Sequence, residues 1–240
     1  RIRTYEEFHY YIEKMLSGQS NVLCSDNIKW FAKSSGTSTG RSKYIPVSRS
    51  YLQKGHLKCA WDVASFIYNE DQSAQLFKDR SLIMGGSIEP MEHGLMAGDI
   101  SAIILHHFPR IGRHFYTPDL ETALMKDWDA KIKKMASITR KQNLTLLAGV
   151  PTWIMVLLDE VLAQSGKSNI SEVWPNLRSF LHGGVGFEPY RKAFSKYIPS
   201  DKLVYREAYN ASEGYFAMQN EKDKPGMLLL CNHEIFYEFA

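Results

Sequence analysis

Three strand-like runs in this 240-residue sequence each stop at glycine. Ser81-Leu-Ile-Met84 gives way to Gly85-Gly86, Leu144–Ala148 to Gly149-Val-Pro151, and Leu177–Leu181 to Gly183-Gly184. Helical spacing fills the stretches between and around them. Residues 4 to 17 carry Tyr5, Phe8, Ile12, Met15 and Leu16 on one face, closed by Gly18; Ser48 caps a pattern running to about Tyr68. Further helices are expected over 99–107, from Thr117-Pro118 through Ile132, Met135 and Ile138 to about Gln142, from Thr152 to Ala163 ahead of Gly166, and over Glu188–Tyr197. Strands that end at glycine and alternate with helices build a largely parallel sheet flanked by helices. After residue 200 the helices cease, and short strands are expected at Leu203–Tyr205, Tyr215–Gln219, Met227–Leu230 and Ile235–Phe239. The fold class expected is therefore α/β, with mostly parallel sheets and a β-rich C-terminal part, in one domain spanning residues 1–240.

Composition narrows the function. With 44% hydrophobic and 23% charged residues the chain has ample material for a core. A net charge of +3, with lysines and arginines dispersed, gives no nucleic-acid footprint. No apolar run reaches the ~18 residues of a membrane span, and no signal peptide is recognisable. Cys24, Cys59 and Cys231 are too few and too scattered for a disulfide framework or a zinc signature, so reduced thiols and a cytoplasmic setting are expected. The first residues, RIRTYEEF, and the last, HEIFYEFA, read as cuts through a longer chain.

One loop carries chemistry. SSGTSTGRSK, residues 34 to 43, lies between two strand-like segments. Gly36 and Gly40 allow backbone N–H groups to approach a ligand closely, and Ser34, Ser35, Thr37, Ser38 and Thr39 add hydroxyl donors. Lys43 adds a compact charge on a long stem. Consecutive N–H groups in such a turn form a nest for anions, which suits a di- or triphosphate. A P-loop would place the lysine directly after the second glycine and continue into a helix; here Tyr44-Ile-Pro46 continues as strand. On composition alone an ordinary surface turn explains the loop equally well. Two further stretches add to it. His182-Gly-Gly-Val-Gly186 follows a strand and precedes a helix, where open α/β sheets bind ligands. Arg206-Glu-Ala-Tyr-Asn-Ala-Ser-Glu-Gly214 sets a glutamate beside a small hydroxyl, able to hold Mg²⁺ through oxygen, with an aromatic ring nearby to stack on a base. A plain turn and a solvated strand end are the alternatives for each stretch taken singly.

Taken together, SSGTSTGRSKYIPVS, HGGVGFEPY and YNASEG resemble the acyl-adenylate-forming superfamily. More closely they resemble the auxin-responsive acyl-acid amido synthetases and their bacterial relatives. Gly98-Asp-Ile-Ser-Ala102, Leu147-Ala-Gly-Val-Pro-Thr-Trp153 and Phe236-Tyr-Glu-Phe239 extend the resemblance over roughly residues 28 to 240. It implies the large N-terminal domain of an adenylate-forming ligase, with ATP and Mg²⁺ as cofactors. Its partners would be a carboxylic acid and an amino acid acceptor, with no nucleic acid and no membrane. It further implies that Ser34, Ser35, Gly36, Thr37, Ser38, Gly40 and Lys43 hold phosphates and that Gly183, Gly184 and Val185 line the adenine. Tyr209 and Asn210 would flank the base, Ser212 would touch phosphate, and Glu213 would bind the metal. Trp153 and Tyr215 would wall the acid, although core packing explains both as well.

Two features depart from the family pattern. A Tyr-Arg-x-Gly-Asp stretch for the ribose and the lysine of a small C-terminal domain are not among these 240 residues. Asn210 stands where plant members carry glycine. Coenzyme A remains open as an alternative acceptor, and so does a non-catalytic nucleotide-binding module. His106 and His107 point to different faces of their helix and are expected to pack rather than catalyse.

Overall fold

The computed structural model describes residues 2–34, 42–222 and 224–239. Helix α1 (Tyr5–Leu16) begins where Thr4 donates its N–H to Glu7 Oε2 at 2.9 Å. Strands β1 (Trp30–Ser34) and β2 (Lys43–Val47) pair antiparallel, bringing Ser34 opposite Lys43 at the base of the serine-glycine loop. Ser48 then caps as expected, its Oγ accepting from Tyr51 N at 3.1 Å. The helix it starts has three parts: α2 (Arg49–Tyr51), a π-helical stretch (Leu52–Leu57) and α3 (Lys58–Glu70).

Next come β3 (Arg80–Ile83), β4 (Ile88–Pro90), β5 (Met96–Gly98), α4 (Ile100–His106), α5 (Arg110–Arg113) and β6 (Tyr116–Thr117). The long helix expected from Thr117-Pro118 is instead two. Asp119 caps α6 (Leu120–Ala123), accepting from Thr122 N at 2.9 Å, and Asp127 caps α7 (Trp128–Thr139), accepting from Ala130 N at 3.0 Å. Two competing aspartate caps within one pattern split it, and Thr117 goes to a strand. The chain continues through β7 (Leu144–Gly149), α8 (Pro151–Ser165), α9 (Ile170–Val173), β8 (Ser179–Gly183) and α10 (Glu188–Tyr197). It closes with β9 (Val204–Ala211), β10 (Gly214–Met218) and β11 (Leu228–Leu229). Ile235–Phe239 alternates like a strand but pairs with nothing among the described residues, and Phe236 stands exposed, so no strand forms there.

Two sheets result. The larger has seven strands in the order β11-β10-β9-β8-β7-β3-β6, parallel from β6 to β9 and antiparallel beyond. The smaller has four, β2-β1-β5-β4, with β1 and β5 parallel. The α/β class with a β-rich C-terminal part holds. Helices cover both faces of the larger sheet, so its interior strand β7 is buried along nearly its whole length. Leu147 and Phe180 face α7, α8 and α10 through Met135, Leu157, Leu158 and Phe194. Leu146 and Ala148, one step out of phase, meet Cys59, Val63 and Ile67 of α3. The smaller sheet packs Phe31 and Ala97 against Ile12 and Met15 of α1, and Ala32 against Leu52, Ile100 and Ile103 on its other face.

A lysine fixes one corner. Lys131 of α7 is 1% exposed, and its ammonium donates to the carbonyls of Gly85 (2.6 Å) and Gly86 (2.8 Å) just past the end of β3. Burial pulls its pKa down to about 8, with Asp99 opposing that shift.

Candidate functional site

The strands of the larger sheet that run parallel end together. Met84 follows β3, Gly149 ends β7 and Gly183 ends β8, and all three open onto one chamber of ≈ 820 Å³. Its wall from the smaller sheet is Lys33 and Ser34 at the end of β1. Its opposite wall is the helix formed by the π stretch and α3, which presents His56, Ala60, Val63, Ala64 and Ile67. Residue spacings of three and four put these on one stripe. The chamber thus has a polar end, at the loop and strand termini, and a long apolar flank.

The glycine turn owes its shape to close packing. A Cβ on Gly183 would lie 2.3 Å from the carbonyl oxygen of Ala208, its partner across the β8–β9 ladder, and Gly184 has φ +81°. Gly183→Ala is therefore expected to cost about 1–3 kcal/mol by forcing two strands apart. Thermal unfolding checks this, and a wild-type melting temperature would contradict it. Val185 completes the turn, 39% exposed at the chamber edge.

Strand β9 runs further than the sequence indicates, through Tyr209 and Asn210 to Ala211, and turns back at Ser212-Glu213 into β10. Tyr209, Asn210, Ser212 and Glu213 all border the chamber. The Tyr209 ring is half exposed and leans on Phe216, with centroids 5.0 Å apart. Asn210 Oδ1 is buried without a hydrogen-bond partner among the described residues, which leaves an acceptor at the chamber wall. Ser212 Oγ donates to Lys33 O at 3.4 Å, and Tyr51 Oη donates to Glu213 O at 3.3 Å. These two bonds tie the turn to the smaller sheet and to the helix that follows it. The Glu213 side chain is exposed. Among the described residues no three His, Cys, Asp or Glu side chains form a metal-holding group. A single exposed carboxylate at the chamber is compatible with Mg²⁺, which can bind through one or two carboxylates and complete its shell with water and ligand oxygens.

Trp153 and Tyr215 also line the chamber. Trp153 is half-buried against Trp128, centroids 5.3 Å apart. Tyr215 is 7% exposed and packs in the α3 core, where burial raises its pKa. Ser34 stands at the chamber, whereas Ser35, Gly36, Thr37, Ser38 and Gly40 lie outside the described residues. Lys43 is not part of the chamber wall: its ammonium sits 3.7 Å from Glu6 Oε1 and 4.9 Å over the Tyr5 ring. His106 and His107 pack on Trp30 with centroids 4.9 and 4.8 Å away. His233 hydrogen-bonds Asp62 at 2.7 Å, in an ion cluster with Lys58.

Several residues of the chamber escape a reading of the sequence. His182 is visible in its motif as the residue before the glycines; its ring stacks on Phe187 at 4.1 Å, and burial lowers its pKa to about 4. Asp99 and His56 have no such signal, since one follows a glycine in a three-residue strand and the other falls on an apolar helical stripe.

Residues 1–133 and 91–203 match the model of the GH3 family N-terminal domain. No curated protein sequence gives a significant match. Among solved structures, an AtGH3.15 acyl acid amido synthetase in complex with 2,4-DB superimposes with a TM-score of 0.71 at 14% identity, over 92% of this chain and 48% of that one. A second GH3.15 acyl acid amido synthetase gives 0.71, 14%, 92% and 47%. An ATP-bound MatB from Rhodopseudomonas palustris gives 0.45 at 19% identity, over 82% of this chain and 32% of that one. The likeness to the first two is one of fold, and the chain spans about half their length.

Proposed function

The chain belongs to the GH3 family, and from that premise we propose that it is the large N-terminal domain of an ATP-dependent, AMP-forming ligase that joins a carboxylic acid to an amino acid. The observation that carries the reading is one chamber with two characters. The glycine turn, Tyr209–Glu213 and the base of the serine-glycine loop make its polar end, while α3 gives it an apolar flank long enough for an acid's tail.

The reaction runs in two steps. A carboxylate oxygen attacks the α-phosphorus of ATP; the bond to the bridging oxygen breaks, and pyrophosphate leaves with its electron pair. The amine of the acceptor then attacks the acyl carbon, loses a proton and displaces AMP. Positioning and charge neutralisation dominate such displacements. Gly183, Gly184 and Val185 receive the flat face of the adenine, Tyr209 lies against it, and the Asn210 acceptor meets its exocyclic amine. Ser212 and Ser34 donate to phosphate oxygens, with Ser35, Gly36, Thr37, Ser38 and Gly40 supplying the nest. Lys43 exchanges the Glu6 carboxylate for a phosphate by rotation of its flexible stem. Glu213 would hold Mg²⁺, which would supply charge neutralisation at the phosphates. Trp153 and Tyr215 bound the acid. We place the protein in the cytoplasm, where Cys24, Cys59 and Cys231 stay as the free thiols they are here. No helix among the described residues is long and apolar enough to cross a membrane.

Acid-dependent ATP–pyrophosphate exchange by the intact protein tests the reading, with aliphatic and aromatic carboxylic acids as the panel. Exchange with one class of acid is expected. AMP release is then expected to require an amino acid, and release with coenzyme A instead would reassign the acceptor. Mg·ATP binding without exchange for any acid would leave a nucleotide-binding module and sink the ligase reading.

A further inference from the structure

The π-helical stretch holds an unexplained histidine. His56 is fully buried, and neither Nδ1 nor Nε2 has a hydrogen-bond partner among the described residues. Leaving a buried polar atom unpaired costs about 1–3 kcal/mol, and a leucine would fill the position without that cost. A ring left in this state points to a partner that arrives later.

Its surroundings say where that partner sits. His56 lies in the chamber wall, at the N-terminal end of the stripe that continues as Ala60, Val63, Ala64 and Ile67. Those four are apolar, so His56 is the stripe's one polar member. The Tyr51 ring lies against His56, with centroids 4.9 Å apart, and fills the space beside Gly55, where a Cβ would come within 2.5 Å of that ring. Tyr51 in turn donates to the carbonyl of Glu213. His56 is therefore one side chain away from the turn assigned above to phosphate and metal, at the opposite end of the stripe from Ile67. π-helical turns of this kind recur at functional sites.

We propose that His56 receives the carboxylate of the acid substrate, donating an imidazole N–H to one carboxylate oxygen and so deciding which end of the acid faces the nucleotide. The assignment rests on the ligase reading for the identity of the ligand. The tail then lies along Ala60, Val63, Ala64 and Ile67, a wall about 10 Å long at 1.5 Å per residue. A neutral donor suits the chemistry. Burial lowers the His56 pKa to about 4, so at neutral pH the ring carries no charge. It orients one carboxylate oxygen without pairing the anion with a cation, and the other oxygen keeps its electrons for the α-phosphorus. A guanidinium in its place would grip harder and blunt the nucleophile.

The experiment uses the intact protein with three variants' worth of contrast: wild type, His56→Leu and His56→Gln. Dissociation constants for benzoate, phenoxyacetate and octanoate are read from tryptophan fluorescence, since Trp61 and Trp153 line the chamber. Exchange kinetics are measured in parallel. His56→Leu is expected to raise both the Kd and the KM of the preferred acid at least about tenfold, from loss of a hydrogen bond to a charged group. Its KM for ATP stays as in wild type. His56→Gln, which keeps a neutral N–H donor, recovers part of the loss. The leucine variant melts no lower than wild type without ligand, because it removes unpaired polar atoms; a packing role would lower its melting temperature. Unchanged acid affinity in His56→Leu overturns the assignment, and so does a wild type that binds none of the acids. Histidine-dependent acid binding without any exchange upholds the carboxylate site and overturns the ligase reading instead.

Discussion

On the proposed ligase reading, Glu213→Gln is expected to lower acid-dependent ATP–pyrophosphate exchange at least about 100-fold in the intact protein, the scale on which removing one charge-stabilising group from a transition state acts. The substitution swaps one oxygen for an amide nitrogen and leaves size and shape alone. Glu213 is exposed in the two-residue turn between β9 and β10, and its backbone carbonyl, which accepts from Tyr51, is retained. Stability therefore changes by no more than about 0.5 kcal/mol. The measurement pairs exchange rates with a thermal melt across a magnesium titration. A variant that melts normally and exchanges at the wild-type rate would remove Glu213 from the metal role.

Phe180→Ala costs about 3–5 kcal/mol and lowers the melting temperature by roughly 6–20 °C, the range for large-to-small changes in a core of this chain length. Phe180 is the second residue of β8 and has no exposed surface. Its ring is stacked on Phe194 at 4.8 Å and meets Phe187 at 5.8 Å and Tyr205 at 6.1 Å. Those three rings come from the segment and helix after the glycine turn and from β9, so the cluster also sets where the turn begins. Differential scanning calorimetry checks the value. A loss under about 1 kcal/mol would show that the aromatic cluster closes over the gap. Phe180→Leu, which retains most of the volume, loses less.

The sequence carried the parts of the fold whose rules are local. Glycine after a hydrophobic run marks the ends of β7 and β8, and Gly166, with φ +67°, stops α8. The antiparallel pair around the serine-glycine loop and the serine cap at residue 48 were legible for the same reason. What failed depended on partners elsewhere in the chain. Residues 209–211 look like a loop until β10 folds back on them. Ile235–Phe239 has strand periodicity but no strand partner among the described residues, which pattern alone cannot reveal. The helix from Pro118 broke because Asp119 and Asp127 each offered a cap.

The candidate site divides in the same way. Ser34, Gly183, Gly184, Val185, Tyr209, Asn210, Ser212 and Glu213, each named from its motif, border one chamber. The apolar wall did not announce itself. Both sides of α3 meet hydrophobic surroundings, so Ala60 and Ala64 read as filler for a core when they are in fact the space left open. His56 falls on the same stripe at regular spacing, where one histidine among apolar residues gives no signal of its own.

The bonds from Ser212 to Lys33 and from Tyr51 to Glu213 join parts of the molecule that belong to different sheets. Each sheet has its own core, and the chamber is the gap between them. An occupant of that gap would touch both sides and bridge the seam. Binding energy gained there is shared by the architecture as a whole, since anything held by the native state alone adds to its stability. Recognition and mechanical cohesion in this protein are properties of the same interface.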